Sequence, residues 1–148
     1  MRKSMFFFLV VALAVVACHK KPINTQTTAM NATTSFDNTK WKLINLPGLD
    51  SLPQLDKDVF IQFKKSDSSY HGNAGCNSFS GRYTLDGTKL GLGPAAMTRM
   101  MCPPENMKVE DQLTKAFQVV DQHLITGGHL QLRKGDQVLA EFIALYLK

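Results

Sequence analysis

The chain has 148 residues, with 17 Lys and Arg against 12 Asp and Glu and a formal net charge of +5. The excess is mild and the basic residues are spread among acids, with no basic stripe interleaved with aromatics, which argues against a nucleic-acid surface. Nor do the four histidines, His19, His71, His123 and His129, stand at a metal-ligand spacing such as H-x3-H.

In chain order, Arg2 and Lys3 precede an unbroken apolar run from Met5 to Ala17, the layout of a secretory signal over residues 1–17. The run falls short of the ~20 residues that a membrane-spanning helix needs. It ends at Val15-Val16-Ala17-Cys18, which resembles the lipobox of bacterial lipoproteins, in which the cysteine is acylated and becomes the first mature residue. That resemblance implies lipid attachment at Cys18 and a membrane partner reached through the anchor; two or more acyl chains hold stably where one does not. His19 stands where an inner-membrane retention aspartate would, so an outer-membrane lipoprotein facing the periplasm is expected. Removing Arg2 and Lys3 lowers the formal charge by two, to +3. Residues 18–38 are rich in Thr and Asn without a helical or strand period and are expected to form a solvated tether, with a span of roughly 25 Å. Residues 39–148 are the size of one ordinary domain.

Within that domain, Trp41–Ile44 and Val59–Phe63 read as strands, the second with Val59, Ile61 and Phe63 on one face, and the Pro- and Gly-containing stretch between them reads as a loop. Further strands are expected over Tyr70–Asn77, Gly81–Leu85 and Lys89–Leu92, the last two joined at Asp86-Gly87, residue types suited to a tight turn. Val109, Leu113, Ala116, Phe117 and Val120 mark one face of an amphipathic helix over Glu105–Gln122, and Pro103-Pro104 gives it a start. Leu124-Ile125, Leu130–Leu132 and Val138–Leu147 then close the chain as strands, with turns at Gly127-Gly128 and Lys134–Asp136. The expected fold is mainly β (α+β): a curled antiparallel meander or partly open barrel carrying one late helix.

With Cys18 given to lipid, Cys76 and Cys102 remain in an oxidising compartment, where a disulfide is expected if geometry allows. It would close a loop of about 27 residues and contribute roughly 3 to 4 kcal/mol in the chain-entropy picture. Two reduced buried thiols, or a shared metal site, are the alternatives. The residues Gly75-Cys76-Asn77, Ser80-Gly81-Arg82-Tyr83, Asp86-Gly87, Leu90 and Ala96-Met97-Thr98-Arg99-Met100-Met101-Cys102 resemble the META domain family, and the last string is close to that of HslJ-like heat-shock lipoproteins. The resemblance covers most of residues 39–148 and includes both cysteines. It implies a small β-rich envelope domain linked to stress, antibiotic tolerance or secretion, with no catalytic residues to transfer.

Sharper chemistry finds little purchase. Ser78 and Ser80 do not sit in a G-x-S-x-G frame, and no nucleophile–base pair or carboxylate pair is evident, so no enzyme activity and no cofactor are expected. Met97, Met100, Met101 and Met107, near Cys102, offer soft ligands for Cu(I), but strict strand alternation would put Met97 and Met100 on opposite faces, and methionine also fills core gaps. Asn77, Arg82 and Arg99 are the candidates for a polar binding patch, with a structural ion pair the more ordinary role for Arg99. The expected function is a monomeric, non-enzymatic, lipid-anchored domain that binds an envelope protein or glycan, or supports envelope integrity under stress. An inhibitor of a lytic enzyme or protease is the alternative, because small, disulfide-stapled barrels on lipid tethers suit that role; Ser80-Gly81-Arg82-Tyr83 is only loosely similar to the loop of lysozyme inhibitors, its Ser-Gly to Tyr spacing one residue shorter.

Overall fold

A computed structural model describes residues 34–146. The expected signal peptide 1–17, lipid-bearing Cys18 and the tether up to residue 33 lie outside the described residues. So does the end of the last expected strand, at Leu147.

Alternation of apolar and polar residues, together with turn chemistry, builds nine strands: β1 (Lys40–Asn45), β2 (Phe60–Lys64), β3 (Ser69–Asn73), β4 (Ser78–Asp86), β5 (Lys89–Leu92), β6 (Ala96–Met97), β7 (Gln122–Thr126), β8 (His129–Lys134) and β9 (Gln137–Leu145). One helix, α1 (Pro104–Val119), interrupts them. All strand pairs are antiparallel, in the order β3-β2-β1-β9-β8-β7-β5-β4-β6, and β3 also pairs with β4, so the sheet closes into a ring. The mainly β architecture with a late helix is the one expected from the sequence. The narrowest seam is between β5 and β7, which share the single residue pair Lys89 and Gln122.

Period-two alternation puts Trp41 and Leu43, Ile61 and Phe63, Leu130 and Leu132, and Ala140 and Phe142 on the inward face, all buried. The interior is filled by side chains. Phe63 and Tyr83 meet edge to face at 5.3 Å between centroids, and Phe117 of α1 meets the Phe79 ring at 5.2 Å. Edge-on aromatic packing of this kind adds about 0.5 to 1.5 kcal/mol per pair beyond area burial. The buried stripe of α1, Val109, Leu113, Ala116 and Phe117, is the face read from the sequence.

Four local features differ from the sequence reading. The expected strand Tyr70–Asn77 stops at Asn73, because Ala74–Asn77 form the turn that sends the chain back into β4; Ala74 N donates to Asn77 O at 2.8 Å. In consequence β4 starts at Ser78 rather than Gly81. The helix ends at Val119 rather than Gln122, since the chain turns extended at Val120 and joins the sheet, Asp121 N donating to Arg133 O and Leu90 N to Asp121 O. The ordered domain also begins before Thr39. Phe36 stacks on Phe63 at 4.1 Å, its carbonyl accepts from the buried Trp41 Nε1 at 3.1 Å, and Asp37 forms a parallel bridge to Phe63.

Close backbone packing explains the glycines around the β3–β4 turn. A Cβ on Gly72 would lie 1.9 Å from the Phe60 carbonyl oxygen and 2.5 Å from the Phe79 ring, so only glycine lets β2 and β3 pair there. Gly75 holds φ at +97° in the turn itself, a conformation that costs glycine little.

Candidate functional site

The β3–β4 turn, the segment Thr98–Pro103 and the first turns of α1 converge on one buried amide. Asn73 organises the turn: its Oδ1 accepts from Gly75 N at 2.8 Å, an Asx-type bond. The helix takes hold through Asn106, whose Nδ2 donates to Gly75 O at 3.1 Å. Cys76 at the end of the turn is joined to Cys102 by a disulfide, with 6.3 Å between the Cα atoms.

Asn77, 1% exposed, is the hub. Its Oδ1 accepts from Thr98 Oγ1 at 2.9 Å and from Met100 N at 2.8 Å. Its Nδ2 donates to Met100 O at 3.2 Å and to Glu110 Oε1 of α1 at 3.2 Å. Thr98 is fixed again to β4, because Thr98 N donates to Ser78 O and Ser78 N donates to Thr98 Oγ1, both at 3.0 Å. Glu110 is itself buried, and its Oε2 has no hydrogen-bond partner among the described residues. One carboxylate oxygen therefore fixes which way the Asn77 amide points, since an acceptor can face only the NH2 end.

The tethering of the segment has a period of two. Thr98, Met100 and Cys102 are bound to the scaffold by hydroxyl, backbone and disulfide respectively. Arg99 and Met101 between them are exposed, Met101 completely at 101%. No residue from Thr98 to Pro103 has a positive φ, and the stretch is irregular backbone lying at the surface, with Thr98, Arg99, Met100 and Met101 all exposed.

The three expected patch residues do not form one surface. Asn77 is interior. Arg82 lies on β4, about 16 Å along the chain from Asn77 at the usual strand rise, and its guanidinium donates to Asp67 O at 2.6 Å. Arg99 is exposed, and among the described residues it joins no ion pair, so the structural pairing expected for it is absent there. Ser80 and Gly81 are central residues of β4, paired with His71 and Tyr70 across β3, so this stretch is sheet rather than a protruding loop of the kind lysozyme inhibitors use. The disulfide removes Cys102 from the soft-ligand set, and strand alternation does not extend from Met97 to Met100, because β6 ends at Met97. Among the described residues, no group of three His, Cys, Asp or Glu is placed to hold a metal ion.

Sequence reasoning passed over Glu110, Asn106 and Thr98. A signal existed for the first two: Asn106, Glu110, Leu113 and Phe117 stand at i, i+4, i+7 and i+11, which sets two polar residues on the apolar stripe of α1. Thr98 carries no such signal, since its bonds depend on the turn geometry.

A concavity of about 380 Å³ lies between α1 and the β5–β6 connection, lined by Tyr70, Leu92, Pro94, Met97, Thr114 and Phe117. Tyr70 crosses its floor and donates its hydroxyl to Gly93 O at 2.7 Å; burial raises the phenol pKa above its usual value. Tyr70 is the one titratable residue of that lining.

The META domain family matches residues 34–144. The fold is also similar to two proteins solved by NMR. One, from Burkholderia xenovorans, has a TM-score of 0.62 at 22% identity over 76% of this chain and 85% of its own. The other has a TM-score of 0.57 at 24% identity over 71% of this chain and 88% of its own. No curated protein matches the sequence.

Proposed function

Given that the chain belongs to the META domain family, we propose that it is a non-enzymatic binding domain of the bacterial cell envelope, held at the outer membrane by lipid on Cys18. Its contact surface is the segment Thr98–Pro103. The observation that carries this reading is the pairing of full exposure at Met101 with rigid tethering on both sides of it. An exposed apolar side chain costs solubility, and a pre-ordered backbone lowers the entropy lost on association. Together they suit recognition; the interior is packed, and no hydrogen bond joins Ser80 to His71, which it faces across β3. Lipid tethering raises the concentration of the segment near membrane-bound partners, so modest intrinsic affinity suffices.

Placing a photo-crosslinking residue at position 101 in intact cells tests this. A discrete adduct is expected there and not at position 85, an exposed apolar site on β4 beside its turn into β5, and Arg99→Glu should abolish it. Equal capture from both positions, or none from 101, would defeat the proposal. Among binding roles, inhibition is favoured over passive scaffolding by the same clamp, because it holds a peptide in a fixed, accessible form.

A further inference from the structure

Resting on that binding role, the geometry points to a specific form of it: the Arg99–Met100 peptide bond is a reactive site for serine endopeptidases that prefer arginine, and the domain inhibits them by being a substrate that they cannot release. The two residues flanking Arg99 are both tied to a single side chain. Thr98 Oγ1 and Met100 N bind Asn77 Oδ1, and Met100 O binds Asn77 Nδ2. Arg99 itself is exposed and in no ion pair among the described residues, so its guanidinium is available to a carboxylate at the base of an arginine-selective pocket, where bidentate pairing is strongest.

Chemical consequences follow from the clamp. Attack by the protease serine Oγ on the Arg99 carbonyl carbon forms an ester and breaks the C–N bond, while the serine proton passes to the departing Met100 amine. In an ordinary peptide that amine diffuses away, and water then hydrolyses the ester to an Arg99 carboxylate and free serine. Here the amine remains attached to Asn77, and the chain beyond it is fixed to the body of the domain by the disulfide at Cys102. An oriented neighbouring group of this kind reaches effective molarities of about 10⁵ M or more, so re-formation of the peptide bond outpaces hydrolysis. Glu110 acts as a positioning residue, orienting Asn77 from behind.

The test uses purified full-length chain and trypsin, with a small arginyl reporter substrate and mass spectrometry of the products. Wild-type chain should inhibit at submicromolar concentration, with slow and incomplete cleavage confined to Arg99–Met100. Arg99→Ala, an exposed change that leaves the fold alone, should weaken inhibition by about 30-fold or more, as loss of a central anchor does. Arg99→Lys, which keeps the charge but not the two-pronged donor, should weaken it less than alanine does. Thr98→Val, which removes both hydrogen bonds of the Thr98 hydroxyl, to Asn77 Oδ1 and from Ser78 N, should speed cleavage at Arg99–Met100 under conditions where urea titration shows the variant still folded. Absence of inhibition at micromolar concentration, or rapid complete cleavage of the wild-type bond, overturns the inhibitor. If adduct formation at position 101 in cells still depends on Arg99 in that event, the broader binding role stands without it.

Discussion

Replacing Asn77 with alanine should be the most damaging single change in the site, and its cost can be worked from the bonds. Asn77 makes four hydrogen bonds of 2.8 to 3.2 Å: from Thr98 Oγ1 and Met100 N, and to Met100 O and Glu110 Oε1. Met100 is half exposed, so water can satisfy its backbone groups in the variant and each of those bonds is worth only about 1 kcal/mol. Glu110 is different. It is buried with Oε2 already unpartnered, and losing Asn77 strands both oxygens, a cost of about 1 to 3 kcal/mol. With the bond from the exposed Thr98 hydroxyl, also worth about 1 kcal/mol, the sum is about 4 to 6 kcal/mol, against a total stability of about 5 to 15 for a domain of this kind. Urea unfolding of the oxidised protein reads this as a fall of about 2 M in midpoint at unchanged slope. A double-mutant cycle with Glu110→Gln should show a coupling of about 1 kcal/mol or more. A loss below 1 kcal/mol for Asn77→Ala, or additive effects in the cycle, would refute the claim that this pair holds the segment.

Four further outcomes are expected. Reducing the Cys76–Cys102 disulfide should lower stability by roughly 3 kcal/mol and make the Thr98–Pro103 segment the earliest site of limited proteolysis, read by peptide mapping. Gly72→Ala should prevent native folding or cut the yield of soluble protein severely, because the added carbon meets backbone of β2 rather than a movable side chain; a native circular dichroism spectrum would contradict it. His123 has its pKa lowered by burial, partly opposed by its bond to the Thr88 carbonyl, so its neutral form favours the fold. Stability should therefore fall as pH drops below ~6.5 through the lowered folded value, and His123→Gln should flatten that dependence in urea titrations. Finally, Cys18→Ser should move the protein from the membrane to the soluble fraction on carbonate washing.

Much of the fold was readable because it depends on short-range rules. Alternation marks the buried faces of β2, β8 and β9, and the helical stripe needs only a single turn's spacing to be seen. Boundaries failed where long-range contacts decide them. Asn73 and Gly75 carry local turn chemistry, but the reversal at Ala74–Asn77 is also held by Asn106 from a helix thirty residues on, which no local rule shows. Val120 continues the apolar period yet leaves the helix, because the seam with β5 claims Asp121. The site was half legible. Arg99 stood out as a charge among apolar neighbours, whereas Asn77 was read as surface because side-chain polarity gives no sign of burial when all its partners come from distant segments.

The seam between β5 and β7 gives the ring an unequal circumference. A single residue pair there, supported by Leu90 N to Asp121 O and His123 N to Thr88 O, stands beside neighbours such as β8 and β9 that are paired along six positions. Thermal breathing will concentrate at that weak join, as a hoop parts at its clasp. Deuterium uptake would begin at Leu90 and His123, and two copies caught open together would have unsatisfied strand margins ready to trade partners.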